Sequence, residues 1–179
     1  MENNILYTHR EIIEAAKAGD RSSQYRLYEL YVDAMLNVSY RIVKRMEDAE
    51  DVVQDGFVKT FNKLHTFNYE STFGSWLKRI IINESISFLR KRKLDTSPIE
   101  DHDYHLSVEE VVHDQTYSIE KVKKGIKMLS TGYEQIINLY LIEGYDHVEI
   151  SEIMGISQGT SKSQYHRAKK KLIDIINTI

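Results

Sequence analysis

Three groups of side chains in this sequence carry ligand-binding chemistry. From Lys162 to Lys171, "KSQYHRAKKK" holds five Lys or Arg and no acid, a set suited to phosphates. Phe67, Tyr69, Phe73 and Trp76 fall close together just before the basic run "RKRK", so aromatic faces able to stack unpaired bases lie near cations. Asp101, His102, Asp103 and His105 in "DHDYH" have metal-ligating atoms, but the segment lacks a helical period to orient them. No metal is expected there, and the remaining histidines are scattered. A phosphate loop ending in Lys-Ser/Thr and a Gly-x-Ser-x-Gly elbow are both missing. The expected chemistry is therefore polyanion binding, with no catalytic residue and no cofactor.

Net charge conceals this pattern, because 27 acids and 24 bases leave only −3. Lys78–Lys93 holds six bases against one acid, Asp95–Glu120 eight acids and no Lys or Arg, and Glu47–Asp55 five acids. Two basic patches separated by an acidic stretch predict two polyanion contacts joined by a segment of opposite sign.

Helices must position these groups. "THREIIEAAKAGD" reads as a short opening helix, "DRSSQYRLYELYVDAMLNVSYRIVKR" as a longer one, and "EDAEDVVQDGFVKTFNKL" as a third with Ala49, Val52, Val53, Phe57, Phe61 and Leu64 on one stripe. "WLKRIIINESISFLRKRK" is the fourth, and "DTSPIEDHDYHLSVEE", with the only Pro, is the natural linker. "SIEKVKKGIKML", "GYEQIINLYLIEG", "DHVEISEIMG" and "SQGTSKSQYHRAKKKLIDIINTI" then form a second helical unit. No strand pattern or repeat emerges. The expected fold is all-α: two small helical domains, 1–93 and 118–179, joined by an acidic linker, 94–117.

Asp146 and Glu149 form a capping-box pattern closed by Gly155, and Ser157 caps the next helix. A short helix, a Gly turn and a capped basic helix are the marks of a helix-turn-helix. At about 100° per residue, Ser161, Tyr165, Ala168 and Leu172 face inward, leaving Lys162, Ser163, His166 and Arg167 outward with Lys169 and Lys170 nearby. Such side chains reach major-groove base edges and phosphates; five phosphate contacts would give a salt slope near about −4.5.

On the fourth helix, Trp76, Arg79, Asn83, Ser87 and Arg90 lie within about 80° of arc, a polar strip suited to a nucleic-acid strand. The loop before it, with Phe67, Tyr69, Phe73 and Trp76, offers stacking for an extruded base or anchors itself on the core. Glu50, Asp51, Gln54 and Asp55 oppose the third helix's apolar stripe, as a solvated face or a dock for a basic protein. Mid-helix Gly56 would allow close approach of a partner.

A chain of 179 residues with 41% hydrophobic and 28% charged residues suits one domain or two small ones. There is no Cys, which excludes disulfides and thiolate chemistry. "MENNILYTHREII" lacks the layout of a secretion signal, and no apolar run approaches the ~20 residues of a membrane span. The expectation is a soluble cytoplasmic protein without membrane insertion.

Together these segments resemble an extracytoplasmic-function sigma factor of the sigma-70 family, from about Tyr25 onward and in the family's order. "DAEDVVQDGFVKTF" resembles the region 2 helix that docks on the clamp of RNA polymerase. "STFGSWLKRIIINESISFLRKRK" resembles the segment that melts and reads the minus-ten element. "YEQIINLYLIEGYDHVEISEIMGISQGTSKSQYHRAKKKL" resembles the region 4 helix-turn-helix that reads the minus-thirty-five element. The resemblance implies that Asp51, Gln54 and Asp55 contact core polymerase. It further implies that Phe67, Tyr69, Trp76, Arg79, Asn83, Ser87 and Arg90 serve the single-stranded minus-ten element. Ser157, Thr160, Lys162, Ser163, His166, Arg167 and Lys170 would serve the minus-thirty-five duplex. The acidic linker would lie in polymerase's basic interior. Many members are also held by an anti-sigma factor, a partner that no residue here identifies.

Three departures stand out: Asp55-Gly56 where the family usually has Glu-Thr, Ser161 where Val is common, and Leu129-Ser130 for the usual Leu-Pro. The alternative is a stand-alone helix-turn-helix regulator acting as a dimer on a two-fold site. That reading leaves the acidic face and the polar strip without a role.

Overall fold

The computed structural model describes residues 8–96 and 118–179. It divides into two compact units, Met1–Ser97 and Pro98–Ile179. Among the described residues there are helices and no strand. "DHDYH" and most of the acidic linker lie outside the described residues.

In the first unit, α1 (Arg10–Lys17), α2 (Arg21–Val43), α3 (Met46–Lys63) and α4 (Phe73–Thr96) pack around one core, with a 3₁₀ turn at Leu64–Thr66. Asp20 opens α2 by accepting from the Ser23 amide at 2.8 Å. Of the apolar stripe expected on α3, Ala49, Val52, Val53, Phe57 and Leu64 are buried and Phe61 is half-buried. Helix α3 packs there on α4, whose Leu77, Ile81, Ile82 and Ile86 are buried too. Each of the Val, Leu, Ile and Phe side chains contributes about 1.5–3 kcal/mol by leaving water.

Helix α4 begins three residues earlier than its periodicity suggests. Thr72 Oγ1 accepts from the Ser75 amide at 3.1 Å, so Thr72 is the cap and Phe73 a buried first-turn anchor. At its other end α4 runs on through residues 94–96, which the sequence assigns to the linker.

The partner that Gly56 admits is internal. A Cβ built there would collide with Ile81 Cδ1, so α3 and α4 touch at this point. The glycine is buried and cannot be part of an outer docking face.

The second unit consists of α5 (Ile119–Lys127), α6 (Thr131–Ile137), a π-turn (Asn138–Ile142), α7 (His147–Met154) and α8 (Gln158–Thr178). Helix α8 packs on α5, α6 and α7 around Ile136, Ile137, Leu139, Ile150, Ala168, Leu172 and Ile176. The straight helix expected over 132–144 is instead split by the π-turn, closed by the Glu143 amide donating to the Asn138 carbonyl at 2.9 Å.

The Gly56 contact makes a sharp prediction. Gly56→Ala overpacks α3 against α4 and costs about 1–3 kcal/mol beyond its gain in helix propensity. Ile81→Val removes the clashing Cδ1. In urea unfolding the double variant should therefore be about 1 kcal/mol or more stable than the sum of the singles.

Candidate nucleic-acid interface

The basic helix is set by its caps. Asp146 Oδ1 accepts from the amides of Val148 at 2.8 Å and Glu149 at 2.9 Å, while Glu149 Oε2 accepts from the Asp146 amide at 3.1 Å. Gly155, with φ +61°, ends α7 in the left-handed region. Ser157 Oγ then accepts from the Thr160 amide at 3.0 Å and starts α8.

Ser161, Ala168 and Leu172 are buried and Tyr165 is half-buried, as the angular reading required. Lys162, Ser163, His166, Lys169 and Lys170 are exposed, and Arg167 is half-buried. Three candidate hydroxyls are partly committed at the helix start: Ser157 Oγ lies 2.8 Å from Thr160 Oγ1, and Ser163 Oγ donates to the Thr160 carbonyl at 3.0 Å.

Ser161 is satisfied where a valine is usual. Its Oγ lies 2.9 Å from His147 Nδ1. The π-turn brings Tyr140 onto the same spot, stacked on His147 at 4.8 Å and 4.3 Å from Tyr165. Burial lowers the His147 pKa, and the positive Lys162 and His166 lower it further against an opposing pull from Asp146.

In the first unit, Arg79, Asn83 and Arg90 are exposed and Trp76 and Ser87 half-buried, so the polar strip on α4 is open. Phe67 departs from expectation. It is only 3% exposed, packed 5.3 Å from Trp76 and 5.7 Å from Phe73, and has no free face for a base. Phe73 is likewise core. Tyr69 is half-buried, with φ +64° and its ring 4.7 Å from Phe67.

The acids of α3 divide into two sets. Asp48 accepts from Arg92 at 2.8 Å, and Glu47 from Arg45 at 2.9 Å. Asp51, Gln54 and Asp55 are exposed, and among the described residues no cation pairs with either aspartate. Lys59 and Glu84 form a further ion pair between α3 and α4. A groove of about 340 Å³ runs beside it, walled by Asp51, Gln54 and Asp55 on one side and Ser87 and Lys91 on the other. Sequence reasoning missed these cross-helix pairs; Asp48 and Arg92 are 44 positions apart, and no local period links them.

The Sigma-70 region 2 family model matches residues 27–94, and the Sigma-70, region 4 model matches residues 119–172. The chain belongs to the sigma-70 family, in its extracytoplasmic-function class. The "ECF RNA polymerase sigma factor SigW" of Bacillus subtilis is 27% identical over 172 residues, covering 89% of this chain and 92% of that protein. The "ECF RNA polymerase sigma-E factor" of Haemophilus influenzae is 28% identical over 177 residues, with 92% and 93% covered. Among solved structures, the sigma factor RpoE from Bartonella quintana, crystallised with the anti-sigma factor NepR, is 26% identical with a TM-score of 0.54. That match covers 86% of this chain and 96% of that one. CnrH, solved with the cytosolic domain of CnrY, shares the fold at 22% identity and a TM-score of 0.55, covering 94% of this chain and 97% of that one. As a sigma factor, the chain has its exposed basic helix in the region 4 unit and its open polar strip in the region 2 unit. Among the described residues, no cluster of metal-ligating side chains forms, and no helix is long and apolar enough to cross a membrane.

A pH dependence arises from His147. Its folded pKa lies below the ordinary 6.5, so the unfolded chain takes up the proton first. Stability is present above that value and is lost as pH falls through the folded pKa. Hydrogen-exchange protection of α7 and α8 should decline as pH falls below the ordinary histidine value and through the lower folded one, and His147→Gln should flatten the decline.

Proposed function

We propose that this sigma factor directs core RNA polymerase to its promoters through two readers, one on each unit. The observation that carries the reading is the order of region 2 and region 4 matches along one chain, each on a unit with an exposed surface of suitable chemistry. Helix α8 enters the major groove of the minus-thirty-five duplex, with Lys162, His166 and Arg167 at base edges and phosphates and Lys170 on the backbone. Ser157, Thr160 and Ser163 contribute through hydroxyl oxygens already oriented by the helix start.

The α4 strip receives the melted minus-ten strand. Asn83 and Ser87 offer hydrogen bonds, Arg79 and Arg90 meet phosphates, and the half-open face of Trp76 supports the strand. Phe67 acts beneath this surface as its packing floor. The free acids Asp51 and Asp55, with Gln54, dock on a basic surface of the polymerase clamp. Each reader binds weakly alone, and polymerase links them at fixed spacing, which raises effective concentration. Bond-making in RNA synthesis belongs to polymerase, and the sigma factor acts in the cytoplasm beside it. An anti-sigma factor that covers either reader would silence the chain; RpoE from Bartonella quintana was crystallised with a partner of that class.

Three sets of variants test the assignment. Lys162→Ala with Arg167→Ala should weaken holoenzyme binding to the upstream duplex about 10- to 100-fold and leave single-strand capture intact. Asn83→Ala should do the reverse, by about tenfold. Equal loss at both elements would contradict separate readers. Asp51→Lys should weaken core polymerase binding at least about tenfold in a pull-down titration, and normal affinity would mean that the acidic face is merely solvated.

A further inference from the structure

Helix α1 precedes the region 2 match, which begins at residue 27, yet three of its side chains converge on one loop. Arg10, Glu14 and Lys17 recur at intervals of four and three and share one face of α1. Tyr69, 55 positions beyond Glu14, donates its hydroxyl to Glu14 Oε1 at 2.6 Å. Lys17 Nζ reaches the same oxygen at 3.0 Å. That ammonium also stands 4.8 Å from the Tyr69 ring centre and 5.6 Å from that of Phe67, and the Arg10 guanidinium lies 5.5 Å from Tyr69.

Tyr69 needs such restraint. Its φ of +64° is a conformation that a bulky side chain seldom adopts without support from its surroundings. The contacts continue inward from Tyr69 to Phe67 and from Phe67 to Trp76, close to the start of the α4 strip. Meanwhile the core formed by α2, α3 and α4 is buried without help from the exposed Glu14. The latch therefore fixes the shape of a surface loop rather than the interior.

We infer that Glu14, flanked by Arg10 and Lys17, is a positioning residue for loop 67–72, holding it through Tyr69 and Phe67 in the shape that supports Trp76, the aromatic face at the start of the α4 strip that meets the melted strand. This inference rests on the sigma-factor reading above and adds α1 to the strand reader. Glu14 touches no nucleotide; it acts through Tyr69. A loop already ordered loses less freedom on capture, so the latch raises affinity for the strand without adding a contact to it. Arg10 and Lys17 keep positive charge at the loop's edge, where the strand's phosphates pass.

The test uses holoenzyme and a labelled single-stranded oligonucleotide carrying the downstream element that wild-type holoenzyme selects from a randomised promoter library. Glu14→Ala and Tyr69→Phe should each weaken capture of this oligonucleotide about fivefold to tenfold, with core binding and upstream-duplex affinity unchanged. The double variant should be no weaker than the poorer single, because both remove one hydrogen bond. Glu14→Gln, which keeps an acceptor oxygen, should restore most of the affinity. Unchanged capture in both single variants, effects that multiply, or parallel loss of core or upstream binding would overturn the inference. If wild-type holoenzyme captured no single strand at all, the fault would lie with the functional reading itself.

Discussion

The close approach of α3 and α4 at Gly56 is the constraint on which the first unit depends. Because no side chain separates the helices there, Ile81 fills the space above the glycine and the two backbones run near one another. That separation lets Asp48 meet Arg92 and Lys59 meet Glu84 across the gap. It also defines the groove whose walls carry the free acids of α3 and Ser87 of α4. The acidic face of α3 and the polar strip of α4 thus stand side by side, and their spacing is fixed by one missing methyl group.

The ion pairs between these helices change how the charge blocks should be understood. The sequence shows six bases in Lys78–Lys93, but Arg92 is already matched by Asp48. Exposed pairs of this kind add little stability, about 0–1 kcal/mol each. Their larger effect is to sort the charges: some acids and bases neutralise one another, and the remainder give each helix face one sign. Asp51 and Asp55 keep a negative field on the outer face of α3, across the groove from Ser87 and Lys91 of α4.

Much of this was legible in the sequence because it is local. Caps at Asp146, Gly155 and Ser157 are written within a few residues of the helices they bound, and the inward stripe of α8 comes from a period of 3.6. The exposed positions on α8 and most of the α4 strip obey the same arithmetic. The parts that were not legible depend on contacts between distant segments. Phe67 reads as a stacking aromatic until Phe73 and Trp76 close over it. Gly56 reads as an opening to an outside partner until Ile81 is found there. The polar Ser161 looks like a weakness in the core until His147, 14 positions away, supplies its hydrogen bond. In each case a pairwise tertiary contact decided the role of a residue whose local signal allowed two.

The π-turn at Asn138–Ile142 bears on which insertions and deletions this lineage can tolerate. A π-turn accommodates one residue more than a regular helix needs. Removing a residue within the turn would restore regular winding and keep the flanking segments in phase, but would move Tyr140, which lies inside the turn, off its place against His147 and Tyr165. The length of the stretch is therefore set by the aromatic anchor beneath the basic helix, and not by the helix that contains it. Drift in this part of the gene should proceed by substitution far more readily than by change of length.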